Sequence, residues 1–464
     1  MSNTLKVYSA YQQELIAELP LLDDSAIDKA LTTARTLADD KHNQLPAWER
    51  HSILKRAAEL MLEHRNTLAQ QAAREGGKPW ADTMVEVNRA IEGVKLAAEA
   101  INSLTGSPVP MGHTPASAHR LAHTSREPIG VVVAISAFNH PLNLIVHQVA
   151  TAVAAGCPVI VKPAGTTPLS CIAFRDILID AGLPTDWCQV ALCKAPVAES
   201  LATDPRVNFL SFIGSGRVGW SLRSKIAPGT RCALEHGGVA PAIIEPDADL
   251  KKVVPSLTKG GFYHAGQVCV SVQRVYIQQT ILYQLAELLK EAAEQLIVGD
   301  PLEHETQVGP LITPNEVQRV HQWVEEAIEE GASLLCGGEI LSETTYAPTI
   351  LLSPNKNSKV STQEVFGPVL CLYGYENLDH AIQDANGLNV AFQSSIFTQD
   401  IDTAMQAASQ LDATAVMIND HTAFRVDWMP FGGRKTSGLG LGGIEQTVHD
   451  MTQEKMILIN YSTE

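Results

Sequence analysis

Three short stretches of this 464-residue chain combine residue types that can do chemistry at a useful spacing. Gly214-Ser215-Gly216-Arg217-Val218-Gly219 fits G-x-G-x-x-G, follows the apolar run 207–214 and precedes the helix-like SLRSKIA. Glycines let backbone N–H groups approach a phosphate, and a helix N-terminus favours its charge. The loop therefore fits a dinucleotide site, although an ordinary turn would use the same glycines. Leu234-Glu235-His236-Gly237-Gly238 sets a carboxylate beside two glycines. A dinucleotide fold would give this next acidic residue to a ribose; the paired glycines equally suit a carboxylate held in a tight site. Gly266-Gln267-Val268-Cys269 places a thiol after a turn, just before a strand-like run. A free thiol titrates near about pH 8.5 and is only about a few per cent thiolate at neutrality. A nucleophilic Cys269 would need a nearby base or an N–H-rich surrounding, and an inert packing thiol is the alternative.

The elements that must position these residues can be read from the apolar periodicity. Leu54, Ala57, Ala58, Met61 and Leu68 fall at helical spacing within a helical region 46–104, broken at Gly76-Gly77-Lys78-Pro79. From about residue 130, short apolar runs (131–138, 159–162, 207–214) alternate with helix-like ones (142–155, 168–181), the pattern of βαβ units around a buried parallel sheet. A second α/β series starts near Ala240, after a hinge-like Gly237-Gly238, with helical runs at 281–296 and 314–330 and strand-like runs at 369–375 and 415–420. The apolar 456–460 is a lone strand that either closes a sheet or adds to a partner's edge.

Composition narrows the function. Lys+Arg number 34 and Asp+Glu 51, a net charge of −17, which argues against nucleic acid and against anionic membranes as partners. Hydrophobic residues make up 45%, too many for disorder. The length is about three of the roughly 150-residue units that set a soft domain prior. The eight cysteines (157, 171, 188, 193, 232, 269, 336, 371) form no C-x-x-C pair and no zinc-like cluster, so no metal is expected and the compartment reads as reducing and cytoplasmic. The start of the chain has neither signal- nor transit-peptide character. The most membrane-like window, 142–161, holds His147 and Gln148 and is cut by Gly156-Cys157-Pro158, which suits a buried helix and strand.

Taken together, the motifs resemble the aldehyde dehydrogenase superfamily. EPIGVVVAISAFNHP (127–141), VKPA (161–164), FIGSGRVG (212–219), LEHGG (234–238), GQVC (266–269), EVFGPVL (364–370) and PFGGRKTSGLG (430–440) match its motifs in order. The resemblance implies an NAD(P)-dependent, non-acylating enzyme that oxidises an aldehyde to a carboxylate. Cys269 would be the nucleophile, Asn139 and the Cys269 N–H the oxyanion donors, and Glu235 the general base, which would settle its competing roles. Lys162 would hold the adenosine ribose, Ser215 a pyrophosphate oxygen and Glu364 the nicotinamide ribose, with Phe366 packed beside it. Ile135, Phe138, Phe212, Gly214 and Val218 would line the dinucleotide groove.

The implied architecture is α/β. A Rossmann-like cofactor domain spans 1–236, with 116–128 contributing to a small β oligomerisation extension; a catalytic α/β domain spans 237–430; and 431–464 return to the cofactor domain and supply the C-terminal oligomerisation strand. A homodimer or homotetramer is implied. Three departures stand out. Gly165 occupies a position where NAD-preferring relatives carry Glu, so NAD and NADP both remain open. Leu441-Gly442 replaces the usual Arg-Glu, and His236 replaces Leu. His140, after the oxyanion Asn, and Arg425, near the substrate entrance, point to a small anionic aldehyde by bidentate hydrogen bonding. A structural Arg425–Asp427 ion pair is the competing reading. A CoA-acylating enzyme, which would generally lack the Glu base, and a catalytically retired nucleotide-binding relative are the alternative functions.

Overall fold

The computed structural model of the chain describes residues 4–42 and 44–461; the extreme ends of the expected 1–236 and 431–464 segments lie outside this range. An antiparallel hairpin, β1 (Thr4–Tyr8) and β2 (Leu15–Pro20), opens the chain. Four helices follow: α1 (Asp24–Asp39), α2 (Ala47–Glu63), α3 (Arg65–Gly76) and α4 (Trp80–Ala100). The hairpin and α1 carry no motif, and the sequence reading did not find them.

The first large sheet is built from β5 (Val132–Ile135), β6 (Val159–Lys162), β7 (Cys188–Val190), β8 (Phe209–Ile213), β9 (Arg231–Glu235) and β19 (Gly438–Leu439). Its order is β19-β9-β8-β5-β6-β7, parallel except at β19. Winding runs outward in both directions from β5, so β5 and β8 flank a topological switch point. Ligands of doubly wound sheets bind in the crevice at the carboxyl ends of such strands. The segments leaving these two ends are Ser136–Asn139 and Gly214–Gly219.

The crossover helices explain the apolar window at 142–161. All thirteen residues of α5 (Asn143–Ala155) are buried, and Gly156 ends it at φ 84°, a left-handed cap that glycine adopts without penalty. Among the described residues no helix is long and apolar enough to cross a membrane.

The second sheet has the order β12-β13-β14-β11-β10-β16-β17 and is parallel except at β12. Its strands are β10 (Ala240–Ile244), β11 (Val272–Gln278), β12 (Ser333–Cys336), β13 (Thr349–Leu352), β14 (Val369–Tyr375), β16 (Gln393–Phe397) and β17 (Ala415–Ile418). Gly237-Gly238, Cys269, Glu364 and Phe392 precede β10, β11, β14 and β16, so this sheet offers its strands' amino ends to the site. A short pair, β15 (Val390–Ala391) with β18 (Arg434–Lys435), lies beside them. A third sheet pairs β4 (Arg120–Pro128) with β20 (Thr452–Asn460) over nine residues, with β3 (Pro108–Val109) on the far side of β4. The expected lone strand at 456–460 is thus the second half of a longer one.

Buried carboxylates fix where the crossover helices start. α5 and α6 (Leu169–Asp180) have no side-chain N-cap of their own. Glu86 of α4 accepts the Leu142 and Asn143 N–H groups at 3.0 and 3.1 Å, and Glu75 of α3 accepts those of Leu169 and Ser170, both at 2.8 Å. Glu86 also pairs with Lys78, and both side chains are almost wholly buried. Removing one partner of a buried pair costs about 3–5 kcal/mol. Glu86→Ala is expected to lose that much in denaturant unfolding. Lys78→Met combined with Glu86→Gln, which removes both charges and keeps a capping oxygen, should recover most of it.

Candidate active site

The turn leading to Cys269 is a strained one. His264, Ala265 and Gly266 have φ of 49°, 52° and 71°, three successive left-handed residues of which only the last is glycine. Non-glycine residues held there cost about 1–3 kcal/mol each and persist where the surroundings over-determine them. Gly266 packs so closely on the Gly367 carbonyl that a Cβ would overlap it. Gln267 is 1% exposed and fully engaged: its Nε2 donates to the His264 and Pro310 carbonyls at 3.2 and 3.1 Å, and its Oε1 accepts from Ile312 N at 2.9 Å. The Gly-Gln pair singled out in the sequence is therefore a lock beneath the thiol. The lock extends to Asn139, whose Nδ2 donates to the Gln267 carbonyl at 2.9 Å. One amide hydrogen holds the side chain in place, and the other remains for an oxyanion.

Cys269, Glu235 and Asn139 line one cavity of about 720 Å³, large enough for a cofactor and a small substrate. The glycines around them are spatial necessities. A Cβ at Gly237 would overlap the Glu364 carboxylate, and one at Gly238 would lie 3.3 Å from the Cys269 carbonyl. A Cβ at Gly442 would sit 2.5 Å from Glu235 Oε1. The departure from Arg-Glu at 441–442 thus leaves room for the carboxylate of Glu235.

Burial controls the charges. It pushes the Cys269 thiol up to about 12, assisted by the negative charges of Glu364 and Glu235 and opposed by the Arg425 guanidinium. It also raises Glu235, again opposed by Arg425, and lifts Glu364 to about 8 against the Gly238 N–H and Arg319. Glu235 is thereby shifted toward the range useful to a general base. Burial holds His140 well below its usual value, with Lys78 and Arg89 adding to the effect, so it is neutral.

Most of the residues expected to hold the cofactor fall along the switch-point crevice. Ile135, Phe138, Phe212, Gly214, Ser215 and Val218 line the cavity on one side, and Glu364 and Phe366 on the other. The Phe138 and Phe366 rings meet edge to face at 5.7 Å. Beyond α7 (Ala195–Thr203), α8 (Gly216–Arg223) is capped by no side chain, unlike the glutamate-capped starts of α5 and α6, so its N-terminus is available to an anion. Glu364 Oε1 is buried without a hydrogen-bond partner, which suits a ligand hydroxyl. Lys162 does not line this cavity; it ends β6, and its Nζ donates to the Pro163 carbonyl at 3.1 Å. His236 lies beneath the loop: Nδ1 donates to the Gly214 carbonyl at 2.9 Å, and the ring sits 5.8 Å from both Phe212 and Trp220. A Cβ at Gly219 would overlap that ring. The Leu-to-His departure and the third glycine of the loop are therefore one packing solution. Among the described residues no group of three or more His, Cys, Asp and Glu is placed to hold a metal.

At the part of the cavity lined by His140 and Arg425, the structure overturns one of the two readings of Arg425. Asp427 is paired not with Arg425 but with Arg89 of α4, through Nε at 2.9 Å and Nη2 at 2.8 Å. Arg425 makes no hydrogen bond or ion pair among the described residues. Its guanidinium stacks on the Phe431 ring, 3.5 Å from the centroid, and its Nε is buried without a partner. The contrast with Arg274 is sharp: that buried guanidinium donates to the carbonyls of Val239, Asp384 and Ala385 and to the Tyr276 hydroxyl. His140 lines the same end, with Nε2 3.4 Å from the Tyr263 hydroxyl. Sequence reasoning missed Arg89, Lys78, Glu86 and Tyr263, which carry no local motif.

Comparison with known proteins agrees with this geometry. Residues 1–457 match the model of the aldehyde dehydrogenase family. The chain is 37% identical over 457 residues to a 3-sulfolactaldehyde dehydrogenase of Priestia aryabhattai, covering 98% of this chain and 95% of that one. Its fold superposes at a TM-score of 0.95 on aldehyde dehydrogenase 21 from Physcomitrella patens, solved with the reaction product succinate (32% identity; 98% and 95% covered). At 0.94 it superposes on the glyceraldehyde-3-phosphate dehydrogenase GapN from Methanocaldococcus jannaschii, complexed with NADP (36% identity; 98% and 99% covered).

The raised thiol has a measurable sign. In the cofactor-free protein, alkylation of Cys269 by iodoacetamide, followed on its own peptide by mass spectrometry, is expected to climb roughly tenfold per pH unit up to and beyond about pH 10. Arg425→Met removes a cation that lowers the thiol, so alkylation at a fixed pH should slow. A rate that levels off near about pH 8 would contradict this account of the site's charges.

Proposed function

The chain belongs to the aldehyde dehydrogenase family, and from that premise we propose that its substrate is a small aldehyde bearing a carboxylate, sulfonate, phosphate or phosphonate. It is an NAD(P)-dependent oxidoreductase of Rossmann-like α/β fold. The observation that carries the substrate reading is Arg425, an unpaired and largely enclosed guanidinium in the same cavity as Cys269. An arginine so placed offers a fork of donors to a planar or tetrahedral oxyanion. The names of the sulfolactaldehyde and glyceraldehyde-3-phosphate relatives, and the succinate complex, support it.

The residues divide the work as follows. The Cys269 thiol releases its proton to solvent and adds as thiolate to the aldehyde carbon, and the carbonyl oxygen becomes an oxyanion. The free amide hydrogen of Asn139 and the Cys269 N–H donate to it; one such donor is worth about 3–4 kcal/mol in the transition state. The nicotinamide supplies a hydride acceptor when bound. Loss of hydride leaves a thioester on Cys269. Glu235 takes a proton from water, the water oxygen attacks the thioester carbon, and the thiolate leaves with the carboxylate released. Retention of Glu235 supports hydrolysis over transfer to CoA.

For the cofactor, the open α8 N-terminus suits the pyrophosphate, with Ser215 beside it, and the orphaned Glu364 oxygen suits the nicotinamide ribose. Lys162, at the end of β6, is assigned to the adenosine ribose. Gly165 presents no carboxylate there, and its nearest would-be contact is Leu5 at 3.7 Å, which accommodates either NAD or NADP. The two large sheets support a division near residue 237. Leu121, Met456, Ile457, Leu458 and Ile459 are exposed along β4 and β20, whose pairing supports assembly into a homodimer or homotetramer. Eight free cysteines support a cytoplasmic setting.

The test is an aldehyde panel with NAD+ and NADP+, without CoA, read at the absorbance of the reduced cofactor. Anionic aldehydes should be preferred over uncharged ones of equal length. Cys269→Ser should abolish turnover and leave cofactor binding measurable. Arg425→Met should cut the anionic-to-neutral kcat/KM ratio by roughly tenfold to a hundredfold, the worth of a charge-assisted hydrogen bond. Strict CoA dependence would overturn the reaction; an unchanged ratio would overturn the substrate class.

A further inference from the structure

Arg425 and Asp427 are two residues apart in one loop, yet they do not pair. The reason is visible in the carboxylate. Asp427 is 2% exposed, and both of its oxygens are filled from two helices. Oδ2 accepts from Arg89 Nε at 2.9 Å. Oδ1 accepts from Arg89 Nη2 at 2.8 Å, from Asn143 Nδ2 at 3.1 Å and from His147 Nε2 at 2.7 Å. Asn143 and His147 are one turn apart on α5, so they reach the same oxygen. Three of these four donors converge on Oδ1, and the Arg89 Nε–H holds Oδ2. Arg425 is left to stack on Phe431, with its donors uncommitted.

We infer that Arg89 is a specificity-determining positioning residue: by engaging both oxygens of Asp427 and neutralising its charge, it keeps the Arg425 guanidinium free to hold the substrate's anionic group. This rests on the reading of Arg425 as the anion anchor. Arg89 supplies two of the four donors and, among the described residues, the only full positive charge on the carboxylate, because burial keeps His147 neutral despite its hydrogen bond to Asp427. Without Arg89, a buried carboxylate loses every donor on Oδ2 and has no counter-charge. A buried unpaired charge is costly, and the uncommitted guanidinium two residues away is the group able to relieve it. Arg425 would then turn from the substrate to Asp427. The selectivity of the site is thus set by a competition between two arginines for one aspartate.

The experiment compares kcat/KM for anionic aldehydes (4-oxobutanoate, and two-carbon aldehydes carrying sulfonate or phosphonate) with that for butanal. In Arg89→Met the anionic-to-neutral ratio for the best anionic probe is expected to fall by roughly tenfold or more. Adding Asp427→Asn removes the competing charge and is expected to restore the ratio to within about twofold of the unsubstituted enzyme, the scatter of independent effects. A double variant no better than Arg89→Met would overturn the inference, because a guanidinium that touched the substrate directly, or merely held the loop, would not be rescued by neutralising its partner. Arg89→Lys, which can satisfy only one oxygen, supports the same comparison if Arg89→Met does not fold; a partial fall rescued by Asp427→Asn is expected. Arg425→Met separates the two readings. If it leaves the ratio unchanged, the anchor itself is wrong. If it lowers the ratio while Arg89→Met does not, the anchor stands and the competition for Asp427 is refuted.

Discussion

The site depends on how the helix N-termini of the first sheet are satisfied. Each helix start leaves backbone N–H groups in want of an acceptor, and three helices start near the same crevice. Glu86 fills the start of α5 and Glu75 that of α6, both from helices that precede the sheet in sequence. α8 is left uncapped. In a protein with a charge of −17, one uncapped helix end is the feature proposed to receive a pyrophosphate, since the overall field would repel it. The capping of α5 also fixes the corner after β5 from which Asn139 and His140 project.

Around the thiol, close approach does the work that charge does elsewhere. Gly237, Gly238, Gly266 and Gly442 each stand where a Cβ would press on Glu364, the Cys269 carbonyl, the Gly367 carbonyl or Glu235. Three carboxylate or thiol groups are thereby enclosed in one apolar-walled cavity, and burial shifts all of them toward their neutral forms. Arg425 is the counterweight, lowering both Cys269 and Glu235. Under the proposed function, an anion held by Arg425 would partly cancel that field and so link substrate charge to the ionisation of Cys269.

Much of this was legible from local pattern. The alternation of apolar runs and helices from residue 130 locates the first sheet because buried parallel strands have no polar face to obscure them. Glycine-bearing motifs mark the loops because a missing Cβ is a local property. The Arg89–Asp427 pair was not legible: its partners are 338 residues apart, and proximity along the chain favoured the wrong arginine. Lys162 shows the limit of a motif in the other direction, since its segment is recognisable while its side chain lies outside the main cavity. The hairpin β1–β2 lacks the clean alternation of a half-buried ribbon, and α1 no motif, so neither was read.

The tie between Asp427 and α4 and α5 has a bearing on how the chain matures. Domains generally fold in the order they leave the ribosome, yet here the front of the chain is finished by its rear. β19 completes the edge of the first sheet beside β9, Ile444, Val448 and Met451 are buried in that sheet's core, and β20 covers β4. A nascent chain that stops short of residue 427 holds Arg89 without its carboxylate and a first sheet with an open edge at β9. Contacts of such long sequence separation close slowly. The first sheet is thus completed only after every strand of the second has been synthesised.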